Sequence, residues 1–412
     1  MAETADIIVV GAGIIGLNTA FQIALRTQAR IVVLDKGKGP GEGSTGASSA
    51  VCRFKYSYDE MVLLAKHGVG AYQQWADYTK LKDPRAQFHK HGMLWLANAS
   101  AVQTESEAER LAGLGIRATV LDDQELRTRF PSLNPCLLPP DLETGEPHDC
   151  SGGGRHLLEL DAGYVDPMDA LQDMIDACRK RGISVRFNTA VVDVEIRSNR
   201  VVSVSLADGS VIACDALINA AGPWCNRLAE MAGYALNWSL KPTRIQVVHL
   251  DRPAEVVGDI PITCDVPGGI YFRTQNRGQQ LIVGSILEED EQEEVADPDN
   301  FARYVDDDYA RLKLHALQHR IPSLTYRGVQ GYSGLYTVNR EDVHPVIGES
   351  EIERLFVVNG CSGHGFKLAP ALGAVLAALV TKAGREDDPL VSPQFLALTR
   401  KSITLSEKSV LA

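Results

Sequence analysis

DIIVVGAGIIGLNTAFQIALRTQARIVVLD, residues Asp6 to Asp35, decides the fold. Asp6 to Val10 is a short run rich in β-branched residues, Leu17 to Leu25 has helical spacing, and Arg30 to Leu34 is a second apolar run ending at Asp35. That order predicts a β-α-β unit. Between its first strand and its helix, Gly11, Gly13 and Gly16 spell GxGxxG, a pattern that allows a tight turn, close approach of a pyrophosphate and close helix packing. The intervening Ala12, Ile14 and Ile15 then line the phosphate cradle. Asp35 stands 19 residues after Gly16, where its carboxylate can accept hydrogen bonds from ribose hydroxyls, with Lys36 beside it. An acid at that strand end fits NAD and FAD equally, so this stretch alone does not choose the redox cofactor.

At 412 residues and 45% hydrophobic, the chain is long enough for two to three domains, and we expect two. The formal charge of −12 argues against a nucleic-acid partner, which needs clustered Lys and Arg, and points to a small-molecule ligand. The eight cysteines are scattered, with no CxxC pair and no Cys/His cluster at metal-ligand spacing, so no metal is expected and the thiols read as reduced. No leader pattern precedes the first strand and no apolar run approaches a membrane span, which predicts a cytoplasmic protein. Oligomeric state is not encoded in any pattern we can read.

Apolar runs recur at Ser184 to Phe187, Val201 to Leu206, Ala216 to Asn219 and Leu355 to Val358, so the nucleotide domain is assembled from separated segments. Lys241 to Leu250 and Gly269 to Ser285 alternate as strands, split by PGG and NRG turns, and suggest an antiparallel substrate sheet. Leu137 to His156, rich in Pro, Gly and polar residues, reads as a long loop, either a lid or an insertion without a role. An Ala/Leu-rich helix is expected from about Ala369 to Lys382, with Pro370 in its first turn and Gly384 at its end.

Three further segments bear on the cofactor. GSTGASSAVCRFKYS (Gly43 to Ser57) offers small and hydroxyl residues, Ser44, Thr45, Ala47, Ser48 and Ser49, that let backbone N–H groups approach a pyrophosphate or ring. NAAGPW (Asn219 to Trp224) ends a strand, its Ala221 and Gly222 clearing space before Trp224. NGCSGHGFKLAP (Asn359 to Pro370) precedes a second helix N-terminus, whose dipole favours negative charge on a reduced ring. With DAGYVDP (Asp161 to Pro167) and GLYTVNREDVHPVIG (Gly334 to Gly348), these segments resemble, in order, the FAD-binding segments of the D-amino-acid, glycine and sarcosine oxidase family, most closely its sarcosine-oxidase-like branch. The resemblance covers nearly the whole chain and is weakest over Arg85 to Leu160.

The resemblance implies an α/β (α+β) fold: a Rossmann-like FAD-binding domain from residues 1–85, 155–233 and 331–400, interleaved with an antiparallel-sheet substrate domain from 86–154 and 234–330. It extends the cofactor set to Val191 at the adenine, to Gly334 and Tyr336, and to Gly360, Ser362, Gly363, His364, Gly365, Phe366 and Lys367. It assigns Arg53 and Lys367 to the substrate carboxylate. Two charge-assisted hydrogen bonds of about 1.5 to 3 kcal/mol each would select a carboxylated amine by orders of magnitude. Tyr271 is a further candidate for lining the amine site, and no residue is assigned as a general base.

Two departures matter. Gly334 stands where relatives carry a flavin-linking cysteine, which predicts non-covalent FAD; Ile282 stands where they carry an oxygen-activating lysine, which leaves oxygen or another electron acceptor open. The implied activity is hydride removal from the carbon beside an amine nitrogen to flavin N5, giving an imine that hydrolyses. The substrate would be amino-acid-like: a D-amino acid, a glycine-like compound or an N-methyl amino acid. The alternatives are a 2-hydroxy-acid-oxidising flavoenzyme, an NAD-dependent dehydrogenase, and the FAD-bearing subunit of a multi-chain amino-acid dehydrogenase.

Overall fold

The computed structural model describes residues 3–150, 154–405 and 408–411. The opening stretch forms the strand Glu3–Val10, the helix Ile14–Ala24 and the strand Ile31–Leu34, whose two strands pair in parallel. The helix begins three residues earlier than apolar spacing suggested, because its first turn is the glycine motif itself. Parallel pairing then extends from Ile31–Leu34 to Ser184–Arg186, and from Glu3–Val10 through Val211–Asn219 to Leu355–Asn359. Ile31–Leu34 and Leu355–Asn359 are buried throughout, as strands covered on both faces must be. An antiparallel pair, Val191–Arg197 and Arg200–Leu206, adds to the outer part of Val211–Asn219. This is the expected doubly wound sheet assembled from distant segments.

The second sheet runs in the order Gln330–Asn339, Leu240–Asp251, Gln280–Ser285, Ile270–Gln275, Ile262–Asp265, Met93–Leu96, Arg155–Glu159, Ala118–Asp122. It is antiparallel except where Ile262–Asp265 meets Met93–Leu96. Two expected boundaries shift. Arg155–Glu159 and all of Gln330–Asn339 but its first residue fall in segments expected for the nucleotide domain, yet hydrogen-bond into this sheet. Alternation sorts its faces: Ile270, Phe272, Leu281 and Val283 pack under Leu314 and Leu317 of the helix Asp307–Arg320, while Tyr271 faces the opposite way, into a cavity against the nucleotide domain.

The helix expected from Ala369 starts at Gly365 and runs to Thr381, with Pro370 inside it and Lys382, not Gly384, turning into the left-handed conformation at its end. A proline there removes the N–H that would bond Phe366 O, and Tyr72 Oη supplies the donor instead at 2.9 Å. The described part of the 137–156 loop lies along Asp307–Arg320, on the sheet face away from the cavity: Arg311 Nη1 donates to Glu143 O at 2.7 Å, and His315 Nδ1 stands 2.9 Å from Leu142 O. None of its described residues lines the cavity. Among the described residues no helix is long and apolar enough to cross a membrane.

The scattered cysteines need a correction too. None of the eight forms a disulfide among the described residues, but the fold brings Cys136, His148, Cys150 and His319 together, since ligand spacing along a chain says nothing about residues joined by packing.

Candidate active site

Strand and helix are joined so tightly at the first turn that side chains are excluded. A Cβ on Gly11, at φ +110°, would lie 2.3 Å from Ala220 O, and one on Gly16 would lie 2.0 Å from Gly11 O. Gly13 caps the helix without a side-chain partner, and no acidic residue occupies the first turn, an arrangement that suits an anion. Asp35 braces this turn: Ala12 N donates to its Oδ2 and Gly37 N to its Oδ1, each at 2.7 Å. Each oxygen keeps a second lone pair for a ribose hydroxyl. Thr45 Oγ1 accepts from Ile14 N at 3.1 Å, tying the small-residue segment to the same helix start. Val191 opens the strand just beyond Thr189, whose N–H bonds Asp35 O at 2.8 Å, so it lies at the acid's side of the site.

A cavity of ≈ 270 Å³ continues from there, lined by Gly43, Ser44, Ala47, Trp224 and Gly334 among others. Ser44 Oγ is buried in the structure without a hydrogen-bond partner, an orphaned hydroxyl facing the path a dinucleotide would take. A Cβ on Gly334 would come 2.5 Å from Ala47 Cβ. Lys36 is tied to Asp299, 4.2 Å over the Trp224 ring, and Trp224 Nε1 donates to the same carboxylate at 3.0 Å. Lys36 and Trp224 therefore form one wall, with the lysine charge already paired. Ala221 precedes Gly222, whose carbonyl accepts from Asn359 Nδ2 at 3.0 Å, joining NAAGPW to NGCSGHGF. Ser362 acts as a joint, with its N–H on Thr337 O and its Oγ accepting from Asn339 N. Gly360 and Gly363 both adopt positive φ, and Gly363 lies against the Tyr336 ring. At the start of the second helix Gly365 meets Ile15 of the first, so two helix N-termini converge. These features fit a bound dinucleotide.

Next to it, a smaller cavity brings together Ser48, Ser49, Arg53, Tyr271, Tyr336, Phe366 and Lys367, which lie far apart in sequence. Arg53 is 3% and Lys367 5% exposed. Glu159 shapes the loop carrying Arg53, accepting from Phe54 N at 2.6 Å, Lys55 N at 3.1 Å and Trp95 Nε1 at 2.7 Å. Burial pushes its carboxyl up, against the pull of these donors and of Arg53. The Arg53 guanidinium lies 4.1 Å over the Tyr56 ring and donates to the backbone carbonyls of Lys55 and Val410, the latter at 2.6 Å. Among the described residues neither Arg53 nor Lys367 forms an ion pair with an acid. Burial, then the neighbouring Arg53, bring the Lys367 ammonium down to about 7. His364 is fully buried, with neither ring nitrogen hydrogen-bonded among the described residues; burial, Lys367 and Arg53 hold it well below the usual imidazole range. It is held neutral and is a weak proton acceptor.

Sequence reading missed four contributors. Arg273, 3% exposed, donates through Nε to Ser49 O at 2.9 Å, and strand alternation placing it with Tyr271 could have flagged it. Glu159 gave no signal beyond a lone acid in an apolar strand. Val410 and Leu411 close the cavity from the end of the described chain, and nothing local marks them.

The chain has relatives among known proteins. The chain is 26% identical over 417 residues to mouse FAD-dependent oxidoreductase domain-containing protein 1, covering 92% of this chain and 81% of that protein. It is 27% identical over 390 residues to human peroxisomal sarcosine oxidase, covering 92% of both. The fold matches L-proline dehydrogenase from P. horikoshii with a TM-score of 0.78 at 22% identity, over 96% of this chain and 98% of that one. The family model DAO, FAD dependent oxidoreductase, matches residues 6–379, and the chain belongs to that family of flavoenzymes.

Proposed function

We propose that this FAD-dependent oxidoreductase oxidises the C–N bond of a small amine bearing a carboxylate. One observation carries the reading: two buried cations, Arg53 and Lys367, share a cavity lined by Tyr271 and Tyr336, and neither is paired with an acid. A buried charge without a counter-ion is costly, so the cavity calls for an anion small enough to enter. The names of the human sarcosine oxidase and the P. horikoshii proline dehydrogenase support an amino-acid-like substrate.

In this reading the Arg53 guanidinium takes the substrate carboxylate, displacing Val410 O from Nη2, and Lys367 Nζ supplies the second contact. The aromatic walls and the Val410–Leu411 segment exclude water once the ligand is seated. The two cations lower the pKa of the substrate ammonium by like-charge repulsion, so its proton passes to solvent on binding. Bound FAD supplies the two-electron oxidant. Gly11, Gly13, Gly16, Asp35, Ser44 and Gly334 would hold it without a covalent link, since Gly334 leaves no room for a side chain against Ala47. Ile282 is fully buried opposite Arg273, so the cations by the flavin segment are Arg53, Arg273 and Lys367, and the acceptor is oxygen or another oxidant. Eight cysteines without a disulfide among the described residues suit a reducing compartment such as the cytoplasm.

The test is anaerobic flavin bleaching with a panel of D-, L- and N-methyl amino acids beside their decarboxylated amines. Reduction by the carboxylated set alone is expected. Equal reduction by the decarboxylated amines, or bleaching only by 2-hydroxy acids, rejects the reading.

A further inference from the structure

Away from the cavity, on the opposite face of the second sheet, four soft ligands converge. Cys136, His148 and Cys150 come from the loop after Phe130, and His319 comes from the last turn of Asp307–Arg320. One ligand atom from each lies within 4.8 Å of all the others, and Cys136 Sγ is 3.3 Å from His148 Nε2. A tetrahedral zinc with bonds of about 2.0 to 2.3 Å needs its donors about 3.3 to 3.8 Å apart, so the set must contract by about 1 Å or less.

Independent features prepare it. Each sulfur already receives an N–H donor: Leu138 N at 3.4 Å from Cys136 Sγ, and Asn134 Nδ2 at 3.2 Å from Cys150 Sγ. Such donors stabilise a metal-bound thiolate and fix its direction. Asn134 also donates to His319 O at 3.2 Å, and its Oδ1 accepts from Cys136 N, so one side chain orients three of the four ligand residues. Among the described residues His319 Nε2 is buried without a hydrogen-bond partner, an unusual state for an imidazole unless something else binds it. The platform beneath is firm, because Arg320 is fully buried, paired with Asp265 at 2.7 Å, and bonded to Asn134 O.

We propose that Cys136, His148, Cys150 and His319 bind one Zn²⁺ that pins the 136–150 loop to the end of the helix Asp307–Arg320. Two thiolates and two imidazoles in a tetrahedron select zinc over hard cations, and four protein ligands leave no open position, so the site is structural. Binding releases two thiol protons to solvent, and nothing is oxidised or reduced. The Pro-rich stretch between the ligands cannot form a core of its own, so the metal supplies the cross-link that packing lacks.

The test is metal analysis of the full-length flavoprotein after expression with zinc and dialysis. About one zinc per chain is expected. It should be lost in Cys136→Ser and in His319→Ala and retained in the control Cys214→Ser, with flavin content and reduction by substrate unchanged. Asn134→Ala should weaken zinc binding about 10- to 100-fold. Should the ligand variants fail to fold, mercurial titration of the native chain must free zinc in step with two thiols. Zinc-free protein, Cys136 and Cys150 recovered as a disulfide, or titration that frees no zinc overturns the proposal.

Discussion

Tyr72 Oη donates to Phe366 O, the carbonyl that Pro370 leaves without its helical donor, one residue before Lys367. The tyrosine stacks on the Phe366 ring at 5.2 Å, so the same side chain repairs the helix and sets the backbone that aims the lysine. Tyr72→Phe keeps the stack and orphans a buried carbonyl. The expected cost is about 1 to 3 kcal/mol, read as a lowered Tm in calorimetry. An unchanged Tm would mean that the helix relaxes around Pro370 without help.

Arg53→Ala removes one of the two cations while leaving the flavin site alone. The apparent affinity for a carboxylated substrate should fall about 10- to 100-fold, the equivalent of about 1.5 to 3 kcal/mol for a charge-assisted bond. Affinity for a decarboxylated amine should not fall. Steady-state kinetics on both compounds separates the two.

Lys367 carries its charge below about 7 and loses it above, because burial and Arg53 depress it. Binding of a non-reactive carboxylate, followed through the flavin spectrum, should therefore weaken as pH rises through that value, and Lys367→Met should flatten the profile. Stability moves the other way. The unfolded chain holds this proton to higher pH than the folded one, so this group makes stability rise with pH above about 7.

Glu291, 3% exposed with Oε2 lacking a partner, is pushed by burial to about 8. Its stabilising contribution is complete below the ordinary carboxylate range and is lost as pH climbs from there through about 8. Glu291→Gln should abolish that component, so thermal melts from pH 5 to pH 8 should run flatter in the variant than in the parent. Because Val410 N–H faces this carboxyl, ionisation also bears on the segment that closes the cavity.

Local pattern carried the nucleotide half of the fold. In Asp6 to Asp35 every signal agrees: β-branched runs, helical spacing, and glycines where a Cβ would strike Ala220 O or Gly11 O. Arg53 and Lys367 are candidates because family motifs hold their positions, Tyr271 because of its strand in the second sheet, and the fold sets all three around one cavity. What stayed hidden depends on partners distant in sequence. Pro370 looked like a first-turn residue because the donor that rescues its helix, Tyr72, lies almost three hundred positions away. Arg155–Glu159 and Gln330–Asn339 had the right pattern for strands, but pairing decided their sheet. Cys136 and His319 carry no common motif, and only the fold makes them neighbours.

The interleaving of the two sheets also dictates how the chain is made. Glu3–Val10 is made well before its partner Val211–Asn219, and that strand before its own partner Leu355–Asn359. Until each partner arrives, the apolar strand before it is an unpaired edge, exposed to other nascent chains. Neither half can mature as an autonomous vectorial unit, so production should respond strongly to chaperone supply and to slower translation, and truncation before Leu355 should give aggregate in place of a smaller flavoprotein.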